Sequence, residues 1–96
     1  MNDDETRKKM SAFAKTFHSM LNRLGVEPWD AEKIDTWGSG PRSHGQQITA
    51  RFLLSVWDPS AEWKSGPFDL TEALRVWDTE HHKVFLRWVA EPWWPY

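Results

Sequence analysis

Apolar residues near the start of the chain recur at the spacing of an α-helix. Steps of one, three and four residues place them on one helical face, and they are Met10, Phe13, Ala14, Phe17, Leu21 and Leu24. Asn2 followed by Glu5 has the order of a capping box, and Gly25 can end a helix in the left-handed conformation. The pattern therefore predicts one helix over residues 3–24.

A second, short helix is predicted after Pro28. Proline suits the first turn of a helix, and the acidic residues that follow it here suit the positive end of the helix dipole. Trp29, Lys33 and Trp37 lie four residues apart, so the lysine stem could pack between the two indole rings. The Gly-Ser-Gly-Pro run at 38–41 then interrupts regular structure.

The stretch 44–57 fits two templates. As a strand it alternates apolar and polar residues but leaves Leu53 and Trp57 on the polar face, whereas a helix places both inside. Ser43 followed by Gln46 repeats the capping-box order, and the Asp-Pro pair after the stretch favours a stop. We predict a largely buried helix here.

Two further helices are predicted over 70–77 and 79–90, after a loop at 59–68. Asp69 and Asp78 stand directly before them and can cap their N-termini. Apolar positions and one histidine follow a four-three rhythm that would form one buried seam: Leu70, Leu74, Trp77, His81, Val84 and Trp88. The alternative is a β-hairpin formed by residues 72–77 and 83–90.

These elements predict a mainly α fold, a compact single domain of four to five helices with a tryptophan-rich core. The alternative is an α+β fold with strands at about 47–57 and 83–90. We expect residues 1–96 to form one small globular domain with an aromatic C-terminal tail at 91–96. A chain of 96 residues can bury a core without a disulfide or a metal, and this one contains no cysteine.

Charge and hydropathy narrow the function classes. Twelve basic and fourteen acidic residues give a net charge of −2 with no basic stripe, which argues against non-specific nucleic-acid binding. No apolar run approaches the roughly 18 residues of a membrane span, and the acidic N-terminus does not resemble a signal peptide. We expect a cytoplasmic protein that does not bind membranes.

The sequence offers no catalytic constellation. The Gly-Ser-Gly-Pro run lacks the lysine of a phosphate-binding loop. The serines near His44 have no orienting carboxylate close in sequence, as nucleophilic catalysis would need. We predict that the protein is not an enzyme and has no cofactor.

Histidines are the remaining candidates for metal chemistry. His81 and His82 are neighbours, so on a helix their side chains point about 100° apart and cannot share one ion. Asp78 and His82 stand one helical turn apart and could face together, as could His81 with a distant group such as His18, but nothing supplies a third ligand at a recognisable spacing. We predict no metal site.

Tryptophan is the anomaly of the composition, with eight residues in the chain. Each indole can bury about 150–250 Å², more than so small a domain easily encloses. We therefore predict that some rings form a contact surface. Interface hot spots are enriched in tryptophan and arginine, which makes Trp63, Trp93 and Trp94 the candidates, with Arg87 or Arg42 beside them.

The tail at 91–96 carries two of these rings between prolines, which stiffen it and reduce the entropy lost on docking. We expect the tail to dock chiefly on the protein's own core, with a partner or dimer contact as the alternative. Pro-Trp-Trp-Pro is also a signature of a chromatin-reading β-barrel family. There it opens the domain, whereas here only Tyr96 follows, so we infer no histone binding from it.

By elimination, we predict a small non-catalytic protein acting through protein–protein interaction, as an accessory or regulatory subunit, with self-association as one form. The alternative is a nucleic-acid-binding regulatory protein. Stacking of a base on tryptophan could then combine with a local cationic patch. The candidates for that patch are Arg42, His44, Arg51 and Lys64, around Trp57 or Trp63.

Overall fold

The computed structural model describes residues 3–95. Within that range the chain forms five α-helices and one short 3₁₀ helix, and no strand: α1 (Asp3–Lys15), the 3₁₀ helix (His18–Met20), α2 (Ala31–Gly38), α3 (His44–Trp57), α4 (Leu70–Val76) and α5 (Thr79–Ala90). The mainly α prediction is confirmed, and the alternative strands at 47–57 and 83–90 are not formed. The Cα radius of gyration is 12.2 Å, close to the roughly 13 Å of a folded chain of this length.

The first helix is shorter than its apolar pattern predicts. It ends at Lys15, because the backbone of Phe17 is extended (φ −87°, ψ 115°) and turns that fully buried ring into the core. The predicted helix over 3–24 is therefore wrong beyond Lys15. The proposed cap Asn2 lies outside the described residues.

The segment after Phe17 folds back over α1 instead of extending it. The Ser11 hydroxyl donates a hydrogen bond to the carbonyl oxygen of Val26 at 2.6 Å, and Met20 and Val26 are buried. Leu21 and Leu24, expected on the buried stripe, are 46% and 60% exposed. Burial of Met20 and Val26 thus prevails over the local helical periodicity.

The second helix begins later than predicted, at Ala31, because Asp30 caps it by accepting a hydrogen bond from the backbone N–H of Lys33. Trp29 precedes the helix and is 1% exposed, whereas Lys33 points to solvent. The expected stack of Lys33 between Trp29 and Trp37 is therefore wrong.

Helix α3 lies at the centre of the domain and matches its prediction. Ser43 and Gln46 form the capping box, and the helix ends at Trp57, before the Asp-Pro pair. Phe52 is the hub of the core, with ring centroids within 5.2–6.0 Å of Phe13, Phe17, Phe68, Trp77, Phe85 and Trp88.

Two separate helices follow, as predicted, with a break at Trp77. Asp69 accepts a hydrogen bond from the N–H of Glu72, and Asp78 from that of His81. The break changes the helical phase, so the apolar rhythm does not continue as one buried seam. Leu70 and Leu74, placed on that seam by the sequence, are 48% and 45% exposed.

Candidate functional site

Most of the indole rings are buried in the core or packed against it. Trp29, Trp37 and Trp77 are buried, and another four pack partly buried against the core: Trp57, Trp63, Trp88 and Trp93. Trp94 is the exposed tryptophan, at 50%. The tryptophan content therefore leaves much less adhesive surface than the sequence predicts.

The C-terminal tail docks on the domain itself. Trp93 packs edge-on against Phe13 of α1 with 5.4 Å between ring centroids, and the Lys9 ammonium lies 4.3 Å above its ring. The indole N–H of Trp88 donates to the carbonyl oxygen of Trp93 at 3.1 Å. The expected docking on the protein's own core is present, while Trp94 contacts Trp88 from the solvent side at 5.5 Å.

Three of the five predicted contact residues lie near one another. Arg87 and Trp93 line a surface cavity of about 490 Å³, together with Phe13, Thr16, Val84, Trp88, Ala90 and Glu91. Trp94 adjoins it through Trp88. At this end of α5, three of the five predicted contact residues therefore meet.

The other two candidates lie elsewhere and have intramolecular partners. The Arg42 guanidinium lies 5.0 Å above the Trp37 ring, and its Nε donates to the Trp37 carbonyl oxygen at 3.0 Å. The indole N–H of Trp63 donates to the carbonyl oxygen of Asp58 at 3.1 Å. Both side chains hold loops against helices.

Two more candidates of the alternative nucleic-acid patch, Arg51 and His44, are likewise engaged. Arg51 donates to the Ser65 carbonyl oxygen at 2.6 Å and to the Glu72 carboxylate at 3.1 Å. His44 lies 3.3 Å from the other oxygen of that carboxylate. Of the four predicted candidates, these contacts leave Lys64, which is exposed, to meet a phosphate.

Helices α4 and α5 carry exposed aliphatic side chains that the sequence did not predict to be at the surface. They are 45–58% exposed, and together we call them the α4–α5 surface: Leu70, Leu74, Leu86 and Val89. His82 joins the two helices, with Nε2 lying 3.1 Å from the Leu74 carbonyl oxygen. The sequence does contain one signal for this surface, because Leu86 and Val89 lie beside the buried stripe of α5 and not on it.

A second feature is a cluster of two imidazoles around one carboxylate, which we call the histidine cluster. Asp78 Oδ2 lies 2.8 Å from His18 Nε2, and Asp78 Oδ1 lies 2.8 Å from His81 Nδ1. The two imidazole centroids are 4.4 Å apart. Each residue offers a ligand atom, and these atoms lie within 4.8 Å of one another.

Hydroxyl groups extend the histidine cluster into the core. His81 Nε2 lies 2.7 Å from Ser19 Oγ, which lies 3.5 Å from Thr49 Oγ1. Thr49 donates to the Gly45 carbonyl oxygen at 2.8 Å and accepts from the Trp77 indole N–H at 2.9 Å. These contacts run from the surface to the N-terminal half of α3.

The order Ser19, His81, Asp78 is that of a nucleophile, a base and an orienting acid. However, the Ser19 hydroxyl faces Thr49, which is fully buried. Ser19 does not line the cavity beside Arg87 and Trp93, nor the cavities around Trp63. We therefore interpret the contacts of Ser19 as structural.

Hydrogen bonding sets the charge state of Asp78. The pKa of its carboxyl lies well below the usual value, chiefly because it accepts the backbone N–H of His81. The rings of His81 and His18 lower the pKa further. A carboxylate therefore stands between the two imidazoles across the pH range in which proteins are usually studied.

No family model, curated protein or solved structure matches the chain. Among residues 3–95, none of the helices combines the length and the hydropathy needed to cross a membrane.

Proposed function

We propose that this chain is a small non-catalytic protein of the cytoplasm that acts by binding another protein through the α4–α5 surface. In the simplest form the partner is a second copy of the chain. The observation that carries the proposal is the set of half-exposed aliphatic side chains on two neighbouring helices, from Leu74 at 45% to Leu86 at 58%.

Helix α5 has more apolar surface than the fold uses. His81, Val84 and Phe85 are buried against the core. Leu86 and Val89 project about 100° to the side, on the face that also carries His82. An apolar flank of this kind next to a buried face is typical of a helix that packs against a further element.

The charges beside this flank favour a second copy. In a two-fold interface each surface meets an identical one, so charges of a single sign around it would repel. Beyond the apolar flank α5 carries both signs: Glu80 and Lys83 lie 3.8 Å apart, and Arg87 follows one turn later. Such a rim can pair with its own copy.

The aromatic tail supports this proposal in a secondary way. Trp94 is 50% exposed against Trp88 at the end of α5. A half-exposed indole next to an aliphatic surface provides an anchor of the type found in interface hot spots. Arg87 is the predicted arginine that remains available beside it.

Oligomeric state tests the proposal directly. Light scattering after size exclusion, with sedimentation at rising concentration, should show a dimer for the wild type and a monomer for Leu86→Glu. Leu24→Glu is the matched control. Leu24 is about as exposed as Leu86, but it lies in the loop before α2, distant in sequence from α4 and α5. This control should dimerise like the wild type, and circular dichroism should show all three folded.

A wild type that stays monomeric at millimolar concentration would exclude the second copy. The wider proposal is then tested with a photo-crosslinking residue at position 86 and another at position 24, in extract of the source cells. Adducts specific to position 86 would identify a different protein partner. Equal or absent labelling at both positions would refute the α4–α5 surface as a binding site.

A further inference from the structure

The histidine cluster brings together three metal-ligating side chains from two separate parts of the chain. His18 lies on the 3₁₀ helix, and Asp78 and His81 lie at the N-terminus of α5. We propose that these three residues bind a divalent transition-metal cation, with Zn²⁺ as the preferred ion. This proposal is independent of the α4–α5 surface.

The ligand types favour a transition metal over calcium or magnesium. Two imidazoles and one carboxylate are a set that zinc accepts, with a water molecule as the usual fourth ligand. Calcium and magnesium prefer oxygen ligands, of which the cluster offers one side chain. We therefore expect Zn²⁺ or Co²⁺ to bind and Ca²⁺ or Mg²⁺ not to compete.

The distances are close to those that a metal needs. Ligand bonds of about 2.0–2.2 Å place tetrahedral ligand atoms about 3.4 Å apart. In the protein, Asp78 lies 2.8 Å from a nitrogen of each histidine. Ligand atoms would have to separate by roughly half an ångström to admit the ion. Rotation of the half-exposed His18 side chain can supply this at one contact, and a small rotation of the half-exposed Asp78 carboxylate can supply it at the contact with His81.

Two of the ligands are held in place before any metal binds. The His81 ring is 5% exposed and lies between Phe17 and Trp77, at centroid distances of 5.4 and 5.9 Å. Asp78 is fixed as the helix cap, because it accepts the backbone N–H of His81 at 2.9 Å. A preorganised pair lowers the entropy lost on binding.

The hydroxyl chain behind His81 suits a metal-bound ring. Metal-ligating histidines usually donate their other ring N–H to an oxygen atom, which fixes the tautomer. With Nδ1 on the metal, Nε2–H would donate to Ser19 Oγ at 2.7 Å, and that hydroxyl would donate towards Thr49. Thr49 in turn donates to Gly45, so every proton in the chain has an acceptor.

The outer side of the cluster is open to solvent. The side chains of His18 and Asp78 are 56% and 53% exposed, which leaves room for a metal-bound water. A bound ion would tie the 3₁₀ helix to α5 across a sequence separation of 60 residues. Its expected effect is to hold the first and last parts of the fold together.

Direct binding measurements test the site. Untagged protein, stripped of metal, is titrated with Zn²⁺ by calorimetry and with Co²⁺ by visible absorption. We expect one ion per chain and a tetrahedral Co²⁺ spectrum. Binding should be at least tenfold weaker in His18→Ala and in Asp78→Asn, which keeps a good helix cap while removing the charged ligand.

Two more variants sharpen the test. His44→Ala removes another half-exposed histidine that also lies near a carboxylate, Glu72 at 3.3 Å, and should bind as the wild type does. Ser19→Ala should weaken binding by about tenfold if Ser19 orients His81. Circular dichroism checks that each variant is folded, and His81 is left unchanged because its burial makes misfolding a risk.

Each binding result either supports the metal site or overturns it. The site is supported if the wild type binds one ion per chain, and if binding is lost in His18→Ala and Asp78→Asn but kept in His44→Ala. An absence of heat and of a visible Co²⁺ band at millimolar metal would overturn it. So would binding that survives both ligand substitutions, or that falls as much in His44→Ala as in His18→Ala.

Discussion

Gly38 of α2 lies so close to Ala50 of α3 that a Cβ atom on the glycine would be 2.7 Å from the alanine methyl. The same atom would be 2.9 Å from the Ser65 hydroxyl, so the position is closed on two sides. The absence of a side chain at Gly38 is what allows α2 and α3 to pack at this distance.

We predict that Gly38→Ala destabilises the protein by about 1–3 kcal/mol, because overpacking forces the two helices apart. Gly45→Ala is the matched control. No atom lies within 4 Å of the added Cβ at that position in α3, so alanine should stabilise by about 0.5–1 kcal/mol. Urea denaturation of both variants measures the difference, and equal effects would contradict the packing argument.

The two most enclosed indoles differ in their hydrogen bonding. The indole N–H of Trp77 donates to Thr49, whereas that of Trp29 is buried with no partner among the described residues. Phenylalanine removes ring volume at either position, but only at Trp77 does it also remove a hydrogen bond. We predict that Trp77→Phe costs about 1 kcal/mol more than Trp29→Phe in free energy of unfolding. Equal losses in parallel urea titrations would mean that the Trp77 bond contributes nothing.

The loop after α3 is held by a buried carboxylate. Asp35 is 8% exposed and accepts the backbone N–H groups of Lys64 and Ser65 at 3.0 and 2.8 Å. We predict that Asp35→Ala costs about 2–4 kcal/mol, since two hydrogen bonds to a charged group are lost. Hydrogen exchange should show faster exchange at the amides of Lys64 and Ser65. Unchanged protection there would show that the loop is held by other contacts.

The two tail tryptophans should differ in their effect on stability. Trp93 contacts Phe13, and Lys9 lies above its ring, whereas Trp94 is half exposed. We predict that Trp93→Ala costs about 2–3 kcal/mol, somewhat less than truncation of a fully buried indole. Trp94→Ala should cost less than about 1 kcal/mol. Thermal unfolding of the two variants provides the comparison, and equal losses would argue against docking through Trp93.

Acid should remove the stabilisation that Asp69 gives to α4. Its pKa is lowered first by the hydrogen bond from the Glu72 N–H, then by the Thr71 hydroxyl, with a smaller contribution from Arg75. A lowered pKa in the folded state means that stability is present above the unfolded value of 3.8 and is lost as the pH falls through the folded value.

Asp69→Asn isolates this contribution, because asparagine caps a helix without titrating. The difference in unfolding free energy between wild type and variant should be largest near neutral pH. It should shrink as the pH falls below about 5. Urea titrations of both proteins at several pH values test this, and a difference that stays constant with pH would exclude the carboxylate as the cause.

The sequence predicts those parts of the fold that local interactions determine. The capping box at Ser43 and Gln46 and the caps at Asp69 and Asp78 each involve residues within three positions, so they can be recognised without tertiary information. They also resolved the ambiguity of 44–57 in favour of a helix. The same local patterns located the break between α4 and α5.

Tertiary packing determines the features that the sequence did not predict. Periodicity extends the first helix past Phe17, but burial of that ring ends it. Leu70 and Leu74 fit an apolar rhythm and still lie at the surface. The approach of His18 to Asp78 depends on how two distant segments pack, which no spacing in the sequence encodes.

The contacts of α5 also bear on how the chain matures during synthesis. His18 and Ser19 find their partners 60 and 62 residues later, and Phe13 meets Trp93 later still. We therefore expect a nascent polypeptide to remain incompletely packed on the ribosome until Trp93 has left the exit tunnel. Until then the apolar side of α1 lacks its C-terminal packing partners, and we expect it to be accessible to chaperones.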